Sequence, residues 1–188
     1  MQNYLAALAL VLAFGTVLTR VMMMRRAGTN AMHFGSMDKK DFLIPPFALF
    51  YFYTVFAAAF GLPLVSAQTF FDSEIVAWLG VALCYVGVGF LAASLISFGA
   101  SFRVGIDVEH SDKLVTTGIF AFSRNPIYVA FGFILLGQFL VFPNWILLAY
   151  LLGGVWLIHR QVRREEEFLQ KQYGAEYAAY CKRVRRYL

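Results

Sequence analysis

Apolar residues come in long runs along this chain, separated by short polar segments that hold most of its charge. The first run extends from about Tyr4 to Met24, long enough for a membrane span of roughly 20 residues. Its charged end follows the apolar stretch, and no small-residue cleavage site comes after it, so it reads as a retained first helix. A linker from Arg25 to Asp41 carries Arg25, Arg26, Lys39 and Lys40. The second run, about Phe42 to Val65, has Pro45-Pro46 in its first turn, where proline is tolerated. A connection from Ser66 to Glu74 holds Asp72 and Glu74 and no basic residue. The third run, about Ile75 to Phe98, carries Gly80, Gly87 and Gly89, which permit close approach of a neighbouring helix.

Residues 101–126 form the longest polar loop, with Arg103, Asp107, Glu109, His110, Asp112, Lys113 and Arg124. Two shorter apolar runs follow, Ile127 to Phe142 and Trp145 to Ile158, split by Pro143-Asn144. Each is short for a full span, so the pattern predicts a tight helical hairpin. The tail from His159 is charged and helical in pattern, with Gly174 as its expected interruption. The expected fold is an all-α integral membrane protein of about five transmembrane helices. The last two form the tight hairpin, and a cytoplasmic C-terminal helix follows.

Composition agrees. Of 188 residues, 60% are hydrophobic and 14% charged, whereas soluble domains carry about a quarter charged residues. The net charge of +5 flanks the apolar runs, where it reads as topology and headgroup contact, not nucleic-acid binding. Cys84 and Cys181 make neither a disulfide framework nor a metal-ligand spacing, and His33, His110 and His159 share no such spacing either. The 25–41 linker, the 101–126 loop and the tail are basic, while 66–74 and 143–144 are not. By the positive-inside rule the N-terminus lies outside and the C-terminus in the cytoplasm. Every candidate for chemistry then faces the cytoplasm.

Arg124-Asn125-Pro126-x-Tyr128 stands where the polar loop enters the hairpin. One reading is a helix start: Asn caps, Pro takes the first turn, Arg snorkels and Tyr sits in the interfacial belt. The other has Arg124 holding a carboxylate while Tyr128 lines a pocket. Glu165-Glu166-Glu167 is open in the same way. It suits a solvated helix with Arg163 and Glu167 paired at i,i+4. Adjacent helical residues also point about 100° apart, so one glutamate can face a cofactor while its neighbour pairs with Arg124. Phe98-Gly99-Ala100-Ser101-Phe102-Arg103 is a weaker candidate, either a helix end or a loop folding over a cofactor.

In this order and spacing the motifs resemble the isoprenylcysteine carboxyl methyltransferase and phospholipid methyltransferase superfamily of membrane enzymes. The resemblance runs from about Phe98 to the C-terminus. It comprises Leu114-Val115-x-x-Gly118-Ile119-Phe120, Arg124-Asn125-Pro126-x-Tyr128, the hairpin, and Glu165-Glu166-x-x-Leu169 through Tyr173-Gly174, Tyr177 and Tyr180. The eukaryotic pattern has His where Asn125 stands and Phe where Tyr173 stands. An asparagine exchanges hydrogen bonds but cannot transfer a proton as an imidazole does.

The resemblance implies S-adenosylmethionine-dependent methyl transfer to a lipophilic or small apolar acceptor reached from the membrane, with no metal. The implied cofactor positions are Leu114, Val115, Gly118, Arg124, Asn125, Pro126, Tyr128, Glu165 and Glu166, with Arg124 and Tyr128 also catalytic. Residues 1–188 then form one membrane domain. In it, 1–99 supply the N-terminal helices and 100–188 the cofactor loop, hairpin and C-terminal helix. Two rivals stand beside it. A membrane reductase of the sterol-reductase type, using a nicotinamide dinucleotide phosphate, would need clustered cations for the phosphate. A non-enzymatic membrane scaffold would tolerate substitution at Arg124, Tyr128 and Glu165.

Overall fold

The computed structural model describes residues 1–26, 44–62, 69–98 and 114–188. Among these residues the protein is all-helical: α1 (Gln2–Arg26), α2 (Ile44–Ala59), α3 (Glu74–Phe98), a 3₁₀ turn (Gly118–Ala121), α4 (Pro126–Val141) and α5 (Trp145–Arg183). Helices α1, α3 and α5 are long and apolar enough to cross a membrane, and α2 and α4 are shorter apolar helices. The chain is an integral membrane protein. The 27–43 linker, the 63–68 connection and residues 99–113, with Arg103, His33 and His110, lie outside the described residues.

Helix α2 is shorter than its apolar run. Its last turn closes through Gly61 N–H on the Ala58 carbonyl (3.3 Å) and Leu62 N–H on the Ala57 carbonyl (2.8 Å). Both hairpin arms begin where their apolar runs do, with Pro126 in the first turn of α4. At the start of α5 the Asn144 side chain accepts Leu147 N–H at 2.9 Å, an N-cap that satisfies an otherwise orphaned amide. The second arm and the charged tail are one helix of 39 residues, interrupted only at Gly174 (φ 50°, ψ −117°). Residues 159–173 contain neither Gly nor Pro, so nothing in the backbone stops the helix where hydrophobicity ends.

Antiparallel packing of α3 on α4 forms the centre of the molecule. Gly80 and Gly137 face each other: a Cβ on Gly137 would lie 2.5 Å from the Gly80 carbonyl and 2.6 Å from Cys84 Sγ. Small residues thus let two helices touch backbone to backbone, the usual source of helix association where lipid removes the hydrophobic drive. Gln138, fully buried, donates from Nε2 to the Ala6 carbonyl at 2.7 Å and ties α1 to this pair.

The two ends of the bundle differ. At one, Phe70 N–H donates to the Pro143 carbonyl at 2.8 Å, and the Phe70 ring meets Trp145 edge-on at 4.5 Å. At the other, Ser97 Oγ accepts Ile119 N–H at 3.3 Å and Phe98 packs edge-on against Phe120 at 4.6 Å. Helix α3 is therefore the strut that sets the 118–128 turn at its C-terminal end. Gly137→Val is expected to destabilise the protein by about 1–3 kcal/mol through overpacking. Gly132→Ala, where nothing lies within 4 Å, should stay within about 0.5 kcal/mol. Melting temperatures in detergent check both.

Candidate active site

The Arg124-Asn125-Pro126 turn is built from its own backbone first. Ser123 Oγ accepts Asn125 N–H at 3.1 Å, and the Asn125 carbonyl accepts Tyr128 and Val129 N–H, both at 3.1 Å. The Asn125 side chain does not cap α4, contrary to one reading of the sequence. Its backbone (φ −132°, ψ 53°) lacks the extended geometry usual for a cap. Nδ2 donates instead to Glu166 Oε1 at 3.2 Å and to the Arg186 carbonyl at 3.1 Å.

Glu166 is 8% exposed. A carboxylate buried beside an apolar bundle is costly unless paired and hydrogen-bonded, and here it is both. Arg124 Nη1 lies 3.4 Å from Oε1, and Arg186 reaches Oε2 through Nε at 2.9 Å and Nη2 at 2.7 Å. The carboxylate, as acceptor, holds the Arg186 guanidinium above its ordinary range. Arg124 also donates to Cys181 Sγ, while its buried Nε has no hydrogen-bond partner among the described residues.

Glu165 points elsewhere on α5. Its Oε1 accepts from the Tyr128 hydroxyl and, at 3.0 Å, from Gln161 Nε2. It stands beyond Ile158, where the apolar part of α5 ends. Burial raises its pKa above the ordinary 4.5, and the hydrogen bonds from Tyr128 and Gln161 offset part of the rise.

The structure therefore brings Arg124, Asn125 and Glu166 into one cluster and pairs Tyr128 with Glu165 beside it. Pro126 is buried at the head of α4. Leu114 and Val115 are half-buried on the approach to Gly118 (φ 64°) and, being apolar, take no part in the hydrogen bonding. A Cβ at Gly118 would meet the Ser97 side chain.

Apart from Tyr180, which belongs to the resembling pattern, several participants carry no motif in the sequence. Beyond Gly174 the chain folds back along α5. The Tyr180 hydroxyl donates to the Phe120 carbonyl at 2.6 Å, and Arg124 N–H donates to the Arg185 carbonyl at 3.0 Å. Ser123 Oγ donates to the Arg186 carbonyl at 3.4 Å, and Tyr187 shares a 3.0 Å hydrogen bond with His159 Nδ1. Most of these bonds end on main-chain carbonyls, which any residue supplies. The one available hint was the basic segment Lys182-Arg183-Val184-Arg185-Arg186, because a buried glutamate needs cations.

Around this cluster lies a polar cleft of about 260 Å³, lined by Arg124, Arg163, Glu166, Glu167, Gln170, Tyr177, Cys181 and Arg186. A second, apolar groove of about 400 Å³ lies between α2 and α5, lined by Phe47, Phe50, Trp145, Ile146, Ala149 and Tyr150. Along α5, Tyr150 is about 22 Å from Glu165 at 1.5 Å per residue, so the groove is remote from the charged cluster.

Fold and cleft together define an integral membrane protein with a mixed-charge site where a short apolar hairpin meets a charged helix. The chain belongs to the phospholipid methyltransferase family, whose model matches residues 75–176. It is similar to protein-S-isoprenylcysteine O-methyltransferases. Identity is 31% with that of Homo sapiens and 30% with that of Mus musculus, in each case over 139 residues, 70% of this chain and 49% of the relative. The chain thus spans about half the length of these relatives. Among solved structures, the eukaryotic intramembrane Ras methyltransferase, an isoprenylcysteine carboxyl methyltransferase, superimposes with a TM-score of 0.62. The match covers 88% of this chain and 58% of that one at 20% identity, a likeness of fold.

The raised pKa of Glu165 has a sign that can be checked. A carboxyl that binds its proton more tightly in the folded state favours folding in acid, and this contribution fades as pH rises through the folded value. Glu165→Gln keeps an acceptor for Tyr128 without the charge. It is expected to raise the melting temperature near about pH 8, with the gain shrinking toward the ordinary value of 4.5. A gain that grew in acid would contradict this assignment.

Proposed function

We propose that the protein transfers a methyl group from S-adenosylmethionine to a lipophilic or small apolar acceptor that reaches the cleft from the membrane. The observation that carries this reading is the meeting of the Arg124 turn with the Glu165–Glu166 pair, in a chain of the phospholipid methyltransferase family. The similar proteins are named for an isoprenylcysteine, an apolar chain that ends in a carboxylate, and Arg124 suits such a group. Lysine and arginine bias puts the cleft on the cytoplasmic side.

The residues fit the cofactor. Its amino-acid end is a zwitterion, and the cleft offers both signs: the Arg124 guanidinium for a carboxylate and Glu167 for an ammonium. The Tyr128 hydroxyl is committed to Glu165, which leaves the ring face for a cation. Asn125, Pro126 and Glu166 hold Arg124 in place, and Leu114, Val115 and Gly118 wall the approach. A dinucleotide phosphate fits less well, because Glu166 and Glu167 stand among the three arginines of the cleft.

When bound, S-adenosylmethionine supplies a methyl group on a sulfonium, open to in-line displacement. The chain's part is to bind, align and exclude water. With a carboxylate acceptor no residue has to remove a proton, so Asn125 in place of an imidazole costs nothing in that step.

Calorimetry on detergent-purified protein tests the reading. S-adenosylmethionine should bind with a Kd on the order of micromolar, and Arg124→Ala should weaken it by about tenfold or more through loss of a charge-assisted contact. A folded wild-type protein that binds a nicotinamide dinucleotide phosphate and not S-adenosylmethionine would sink the proposal.

A further inference from the structure

The two oxygens of Glu166 are divided between different parts of the chain. Arg124 and Asn125 share Oε1, at 3.4 and 3.2 Å, and Arg186 takes Oε2 through two nitrogens at 2.9 and 2.7 Å. One carboxylate faces two guanidiniums, so the trio keeps one net positive charge. That surplus lies toward the cleft. The Arg124 side chain is 13% exposed, with Nε buried and unpartnered among the described residues. On the same wall the Tyr177 hydroxyl is buried without a partner of good geometry among them. Arg124 and Tyr177 both line the cleft, and an anionic ligand there would offset the surplus charge.

Arg186 controls whether that charge is available. Without it, a carboxylate 8% exposed would be left with one arginine and an amide. The favoured response is a two-oxygen fork that draws in Arg124 and cancels its charge. We propose that Arg186 is a positioning residue: by occupying half of Glu166 it leaves Arg124 free to present its charge to a ligand carboxylate in the cleft. The backbone of the same segment works in parallel. The Arg185 carbonyl holds Arg124 N–H at 3.0 Å and the Arg186 carbonyl holds Asn125 Nδ2 at 3.1 Å. One short stretch of chain thus sets both the place and the electrostatic freedom of Arg124. For the identity of the ligand this rests on the methyltransferase reading.

The test is a double-variant cycle read by S-adenosylmethionine calorimetry. Arg186→Gln should weaken binding by about tenfold, within the range of coupled neighbours, and Arg186→Lys should recover part of the loss. Glu166→Gln combined with Arg186→Gln should recover most of it, because the charge that pulls on Arg124 is gone. A double variant as weak as Arg186→Gln alone means that Arg186 touches the ligand itself, and the proposal falls. Unchanged affinity in Arg186→Gln overturns it equally. Hydrogen exchange over residues 123–129, followed without ligand, separates the two readings. Exchange should quicken in Arg186→Gln and return toward wild type in the double variant. A wild type that binds no S-adenosylmethionine ends the methyltransferase reading, and the exchange then decides: no change in Arg186→Gln overturns the positioning role.

Discussion

A negative charge that cannot stay alone organises the polar half of this molecule. Glu166 leaves the apolar part of α5 already buried, and at that depth a carboxylate must be neutralised and hydrogen-bonded. Carried on α5, it draws its partners from two other places in the chain: Arg124 and Asn125 in the turn before α4, and Arg186 in the segment that folds back after Gly174. Satisfying one side chain therefore fixes the mutual position of three segments that share no apolar packing motif.

The membrane part decides where this can happen. Close packing of Gly80 on Gly137 sets the height of α4 against α3, and the Ser97 and Phe98 contacts then place the 118–121 turn. The apolar bundle and the charged cluster are linked mechanically: the helix contact positions the turn, and the turn presents Arg124 and Asn125 to α5. Neither layer would specify the site alone. The bundle leaves the orientation of side chains at its mouth open, and ion pairs without a scaffold lose too much conformational entropy to hold one geometry.

Much of this was legible in the residues. The apolar runs carried α1, α3 and the hairpin because a span must be long and uncharged. That Arg124 would meet one of the glutamates 165–167 followed from the need of a boundary carboxylate for a cation; which of them it meets did not. Three features escaped for physical reasons. Asn125 read as a cap because that is its commonest use before a helix, yet a buried carboxylate competed for its amide and won. The tail read as a separate helix because hydropathy changes at His159, whereas backbone propensity does not. Beyond the basic character of residues 182–186, nothing marked Arg186 and Tyr187, since their register depends on how the chain reverses at Gly174, and a positive φ at one glycine does not encode a direction.

The hairpin has arms of unequal length. From Pro143-Asn144 back to Asn125 is about 25 Å of helix, and forward to Glu166 about 32 Å, at 1.5 Å per residue. Their far ends nevertheless meet, at 3.2 Å between Asn125 Nδ2 and Glu166 Oε1. The longer arm must lean across the shorter one, and the angle between them is set by the side chains that close the triangle. A triangle of fixed sides does not stretch. When bilayer thickness changes, the pair can tilt as a unit, but the height of the carboxylates over the hairpin turn belongs to the protein. The lipid surface has to move to meet them.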